Sequence, residues 1–209
     1  MPERIGPILD CALLRWSPRI GDPSVVGWTT VALYFGTAAL AAKVVGRSRV
    51  FPAETRRRER LFWMALCALL LGMGVNKQLD LQSLLTAIGR CVAQLDGWYA
   101  ERRATQARFI AALLAAALAG AVASVLLLRG ALRRQAPALF GAMLLVAFVV
   151  VRAVGFHHVD AFISTRVSGW RMNWILEIGG IALVALGALW ALSATRGSSA
   201  RATHRRDHG

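Results

Sequence analysis

Apolar residues gather along this chain into five long blocks, and the polar residues fall between them in clusters. A helix rises about 1.5 Å per residue and a bilayer core is about 30 Å thick, so one crossing takes about 20 residues. Positions 25–45 meet that length with no charge before Lys43, which sits where a long side chain can snorkel to the interface. Positions 61–75 fall short, so a crossing helix there has to carry Asn76, Lys77, Gln78 and Asp80 to the edge of the hydrocarbon. Positions 109–128 cross in full, and Ala116, Gly120 and Ser124 form a small-xxx-small face suited to close helix packing. Positions 138–151 are again too few. With Pro137 as a first-turn residue, that helix has to take in Arg152 and reach about His157. Positions 174–192 are the fifth crossing, with Glu177 one turn inside. The predicted fold is therefore all-α, a polytopic membrane bundle of five transmembrane helices.

The segments outside these blocks are patterned too. In 1–24, Ile5, Ile8, Leu9, Ala12, Leu13 and Trp16 recur at helical spacing, with Pro7 near a helix start and Gly21, Asp22, Pro23 and Ser24 as the stop. An N-terminal interfacial helix is expected. In 81–108, Leu81, Leu84, Leu85, Ile88, Val92, Leu95 and Tyr99 do the same, interrupted by Gly89 and Gly97. This connection reads as an amphipathic helix or helix pair. The chain thus divides into the segment 1–24, a transmembrane domain over 25–195, and a basic tail over 196–209 whose Arg, Ser and His content suggests disorder.

Composition narrows the class. At 56% hydrophobic and 17% charged, the chain is too apolar for a soluble domain of 209 residues. A net charge of +14 suggests nucleic acid at first sight, but the arginines sit in clusters between apolar runs instead of forming one basic face, so no nucleic-acid role follows. They act as topology signals that also touch anionic lipid. Connections 46–60, 129–137 and 194–209 hold Arg47, Arg49, Arg56, Arg57, Arg58, Arg60, Arg129, Arg133, Arg134, Arg196, Arg201, Arg205 and Arg206. The opposite connections hold fewer basic residues in nearly twice the length. The positive-inside rule then puts the N-terminus outside and the C-terminus in the cytoplasm, in what reads as a bacterial inner (plasma) membrane. Cys11, Cys67 and Cys91 are odd in number and lack C-x-x-C spacing, so they imply neither a disulfide framework nor a zinc knuckle. Trp28, Trp63, Trp98, Trp170, Trp174 and Trp190 flank the spans as an interfacial aromatic belt.

One stretch departs furthest from its surroundings: R-A-V-G-F-H-H-V-D at 152–160, where a crossing segment meets an arginine, two histidines and an aspartate. Ionisable groups at membrane depth are costly and mark function by default. With five spans, the polar ends of the second, fourth and fifth helices share one face, so Asn76, Lys77, Asp80, Arg152, His157, His158, Asp160 and Glu177 are expected to meet near the outer interface. At about 100° per residue, Asn76, Asp80 and Ser83 share a helix face, and His157 lies closer to the side of Arg152 and Asp160 than His158 does. Arg152 with Asp160 or Glu177, and Lys77 with Asp80, are the ion pairs this register allows.

Two functional readings follow. In the first, Asn76, Lys77, Arg152 and Glu177 form an outer-face pocket that binds a lipid-type or other anionic head group. The protein is then a small membrane component with lipids as partners, an accessory subunit of a larger membrane system, or a homo-oligomer. In the second, it is a membrane-embedded hydrolase of lipid esters or amides. His157, Asp80 and Asp160 serve there as acid and base, or His157, His158, Asp80 and Asp160 hold a zinc or iron ion that activates water. The His and Asp residues at helix ends near one membrane face loosely resemble the alkaline-ceramidase-like group of membrane metal hydrolases. That resemblance covers His157, His158, Asp80 and Asp160 alone, and the group's seven-helix plan and late H-x-x-x-H pair are absent.

Overall fold

The computed structural model describes the backbone of residues 2–17, 20–97, 102–154, 166–167 and 170–206. It describes their side chains except at 2–4, 50, 82, 102–103, 106, 152–154, 166–167, 170–173 and 194–206. Among the described residues there are seven α-helices: α1 (Pro2–Arg15), α2 (Val25–Gly46), α3 (Arg56–Leu79), α4 (Leu81–Leu95), α5 (Arg102–Leu127), α6 (Leu132–Val154) and α7 (Met172–Arg206). Within α2, α3, α5, α6 and α7 lie five stretches long and apolar enough to cross a membrane: Val25–Gly46, Arg56–Leu79, Ala107–Leu127, Leu132–Val151 and Trp174–Ser193. The protein is an integral membrane protein of all-helical architecture. A two-residue antiparallel pair, β1 (Arg166–Val167) with β2 (Trp170–Arg171), precedes α7.

The two short apolar blocks reach crossing length differently. The second grows at both ends, from Arg56 to Leu79, and does carry Asn76, Lys77 and Gln78 in its last turn. The fourth includes Arg152 and also extends at its other end, starting at Leu132; its expected reach to about His157 lies outside the described residues. Pro137 therefore lies inside α6 and not in its first turn. The carbonyl that loses its usual i+4 donor belongs to Arg133, at the polar end of the helix.

Odd-numbered crossings give the molecule two ends. At one, the starts of α2 and α7 stand beside the end of α3, with α1 and α4 packed next to them; at the other, arginine-rich connections join α2 to α3 and α5 to α6. The core is built from helical repeats facing one another: Tyr34, Ala38, Ala41 and Val44 on α2, Trp63, Leu66 and Leu70 on α3, and Ile181, Val184, Ala188 and Ala191 on α7. Helices α6 and α7 share the most extensive interface, followed by α2 with α3 and α2 with α7. A Cβ on Gly141 would stand 2.7 Å from the Gly180 carbonyl, and one on Gly187 2.7 Å from the Ala138 Cβ, so α6 and α7 approach closely because these residues are small. Gly179 faces open space.

The close packing expected along Ala116, Gly120 and Ser124 is not formed. No residue in the most apolar window of α5 is buried, and a Cβ on Gly120 would meet nothing within 4 Å. Helix α5 leans mainly on α6 and leaves a fissure towards α3.

Three further expectations are corrected. Cys11 and Cys91 form a disulfide across 80 residues of sequence. It joins α1 to α4, where Ala12 and Cys91 are fully buried and Arg15 donates to the Gln94 side chain at 2.7 Å. Only the docking of two distant helices creates that pair, so local spacing carries no sign of it. Trp63 is not an interfacial anchor; it is fully buried, edge-on to Phe62 with ring centroids 5.7 Å apart. The tail expected to be disordered is helical through Arg206, as a continuation of α7.

Candidate functional site

A helix ends after Leu79 because Asp80 adopts the left-handed conformation, φ 47° and ψ 46°, which a short polar side chain tolerates better than most. This break turns the chain from α3 into α4 and leaves Lys77 in the final turn. Side chains on a helix lean towards its N-terminus, so Lys77 on α3 leans back into the bundle while Glu177 on α7 leans out towards the end. They meet about one turn below the surface. The Lys77 Nζ donates to Glu177 Oε2 at 2.8 Å, and the Tyr34 hydroxyl donates to Glu177 Oε1 at 3.1 Å.

Both charges are withdrawn from solvent, with side-chain exposures of 12% for Lys77 and 3% for Glu177. Charges so placed are retained only when paired, because stranding one of them in an apolar interior is strongly destabilising. Each oxygen of Glu177 has a donor from a different helix, so the carboxylate ties α2, α3 and α7 together.

The segment before α2 closes over this pair. Asp22 Oδ1 accepts from the Ser24 backbone N–H at 3.2 Å and from the Ser24 hydroxyl at 2.6 Å, while Ser24 Oγ caps α2 through the Gly27 N–H at 3.0 Å. A Cβ on Gly27 would lie 2.5 Å from the Asp22 carboxyl carbon, so glycine is needed for the aspartate to sit over the helix start. Gly21 donates its N–H to the Gln78 carbonyl at 2.7 Å, and a Cβ there would come within 2.8 Å of the Lys77 carbonyl. Two glycines thus let the segment run against the end of α3. The other oxygen of Asp22, Oδ2, stands 4.0 Å from Lys77 Nζ, beyond hydrogen-bonding distance of that ammonium.

Of the predicted site residues, Lys77 and Glu177 are brought together, in a pairing that the sequence register did not single out. Asp80 is not joined to Lys77; its Oδ2 accepts from the Ser83 hydroxyl at 2.6 Å in the turn between α3 and α4. The expected Lys77–Asp80 ion pair is therefore corrected to Lys77–Glu177. Because Asp80 breaks the helix, the common face expected for Asn76, Asp80 and Ser83 does not continue, and the Asn76 carbonyl instead accepts the Asp80 N–H at 3.0 Å. The side chain of Arg152, together with His157, His158 and Asp160, lies outside the described residues. Among the described residues, no group of three or more His, Cys, Asp or Glu side chains is placed to hold a metal ion.

Sequence reasoning missed Tyr34 and Asp22. A tyrosine inside an otherwise apolar crossing was the available signal, since a buried phenol seeks a partner. It also missed a second buried carboxylate at the opposite end. Glu59 is fully buried and accepts from Arg134 Nη2 at 2.6 Å, Arg134 Nε at 3.2 Å, the Thr55 hydroxyl at 2.7 Å and the Gln135 side chain. A lone acid within R-R-R-E-R at 56–60 was its signal.

Fold and site together define a class: a five-span helical membrane protein with an ion pair buried near one end of the bundle. No protein-family model, curated protein or solved structure matches the chain.

Proposed function

We propose that this is a small membrane binding or accessory protein that holds an anionic head group at Lys77, on the outer face of a bacterial inner membrane. The observation that carries the reading is the asymmetric coordination of Lys77. An ammonium offers three donors; Glu177 takes one at 2.8 Å, while among the described residues the next carboxylate oxygen, on Asp22, is at 4.0 Å. A phosphate or carboxylate entering between them takes the place that Asp22 only approaches. Glu177 and Tyr34 meanwhile hold the ammonium in position from the bundle side.

The orientation, N-terminus outside and C-terminus cytoplasmic, has two supports. Arginines crowd the connections at the other end, as the positive-inside rule requires of a cytoplasmic face. The Cys11–Cys91 disulfide lies beside the Lys77 end, and such bonds persist in oxidising, extracytoplasmic compartments. A membrane-impermeant maleimide should label an Asp96→Cys variant in intact cells; labelling only after the cells are opened reverses the orientation.

Binding itself is tested with glycerol phosphate, as a soluble anionic head group, added to the protein in neutral-lipid nanodiscs. The expected result is saturable binding that strengthens in Asp22→Asn, because the competing carboxylate is neutralised. It should be retained in Lys77→Arg and lost in Lys77→Gln combined with Glu177→Gln, which removes the ammonium without stranding the buried carboxylate. No binding in the native chain, or binding insensitive to Asp22 and Lys77, overturns the reading.

A further inference from the structure

The fissure beside α5 and the arginines lie on the same side of the molecule. The fissure has a volume of about 400 Å³ and is lined by α3, α5 and α6, with Phe62, Leu66, Leu69, Ala117, Gly120 and Met143 among its walls. That volume falls within the ordinary range for a ligand cavity. Its polar lining side chain is Ser124, and that hydroxyl already donates to the Gly120 carbonyl at 2.8 Å. The walls thus offer hydrocarbon contact and no uncommitted hydroxyl. Ala65, Ala116, Gly120 and Ala147 remain exposed along it, so it opens sideways, towards where the acyl chains of a bilayer lie.

Its depth is set by the helices. At about 1.5 Å per residue, the lining begins about 9 Å from the start of α3 at Phe62, about 5 Å from the end of α5 at Ser124 and about 10 Å from the start of α6 at Leu139. It runs to Leu69, Ala116 and Ala147, about 16–22 Å from the same helix ends. The fissure therefore occupies the leaflet at the arginine end of a core about 30 Å thick. At that end α3 and α6 are bolted together by Glu59, one turn before Phe62, with Arg134 and Gln135, one turn before Leu139. Exposed Arg58 stands one turn before Phe62 on the same face of α3, and exposed Arg129 follows the end of α5.

We infer that this fissure is a binding site for one anionic phospholipid of the arginine-side leaflet, with an acyl chain in the fissure and its phosphate at Arg58 and Arg129. The occupant follows from the two halves taken together. An apolar slot open to the bilayer selects hydrocarbon, and arginines at its mouth select a negative head group over a zwitterionic one. The site is separate from Lys77, at the other end of the bundle, and does not depend on it.

The test is lipid retention by the full chain, measured by native mass spectrometry after exchange into detergent with equal phosphatidylglycerol and phosphatidylcholine. The native protein should retain one phosphatidylglycerol, preferred over phosphatidylcholine by about fivefold for each contributing arginine. Arg58→Gln with Arg129→Gln should remove the preference while leaving a lipid bound. Gly120→Leu or Ala117→Phe, which fill the fissure, should abolish retention. Spin-labelled phosphatidylglycerol in bilayers gives the same readout without detergent: an immobilised component in the native protein, absent in Gly120→Leu. Equal retention of the two lipids overturns the head-group assignment. Unchanged retention in both filling variants overturns the site. A Gly120→Cys variant that crosslinks to a second copy in native membranes seats a protomer in the fissure and overturns it as well.

Discussion

Among the described residues, two carboxylates are buried in this bundle, one at each end, and they are held in different ways. Glu59, at the arginine end, accepts from two nitrogens of Arg134, from the Thr55 hydroxyl and from Gln135, so both oxygens are occupied by donors of fixed geometry. Among the described residues, Glu177, at the disulfide end, accepts one donor on each oxygen, from Tyr34 and Lys77. A guanidinium pairs with a carboxylate as a rigid plane, whereas an ammonium is a compact charge with rotatable donors. The saturated site fastens helices. The other fastens helices too, and is where the proposed head-group site lies.

Breaking each pair from its cation side gives the largest separation between the two. Lys77→Met leaves Glu177 ionised and buried with only Tyr34, and should cost about 3–5 kcal/mol, read as a drop in the unfolding midpoint in mixed micelles. Adding Glu177→Leu to that variant should restore most of the loss. If it restores none, the two side chains are not coupled. Arg134→Ala should cost about 3 kcal/mol, the low end of the same range, because Arg134 is 38% exposed and water partly screens it. Here Thr55 and Gln135 remain on Glu59, so an effect larger than that of Lys77→Met would reverse the ranking of the two sites. Tyr34→Phe removes one hydrogen bond from Glu177 and should cost about 1 kcal/mol. Asp22→Asn is the smallest change, within about 0.5 kcal/mol, since its oxygen stands 4.0 Å from Lys77. A large loss there would show that Lys77 is already saturated, like Arg134.

The disulfide separates the two ends further. At one end α1 and α4 are joined covalently beside the Lys77 site; at the other, the Glu59 hydrogen bonds and the buried Phe51 and Leu128 hold the connections. Release of α1 from α4 in Cys11→Ser is expected to leave the five crossings folded, because the buried core cluster of the bundle includes no residue of either helix.

What the sequence determined by itself was whatever a bilayer imposes on one helix at a time. Block length against bilayer thickness set five crossings; the two blocks that were too short pointed to Lys77 and Arg152 inside helices, and Glu177 stood out as a charge one turn inside the fifth. Helical spacing in 1–24 and 81–108 likewise foretold α1 and α4. The tertiary structure decided everything that depends on two helices meeting. It paired Cys11 with Cys91, gave Lys77 to Glu177 and not to Asp80, and turned Trp63 inward. It also left the small face of α5 unpacked and set Gly141 of α6 against the Gly180 carbonyl of α7. The reason is physical: lipid tails are as apolar as leucine, so which helix faces touch is settled by shape and by where buried charges find partners, and neither is written in a one-dimensional pattern.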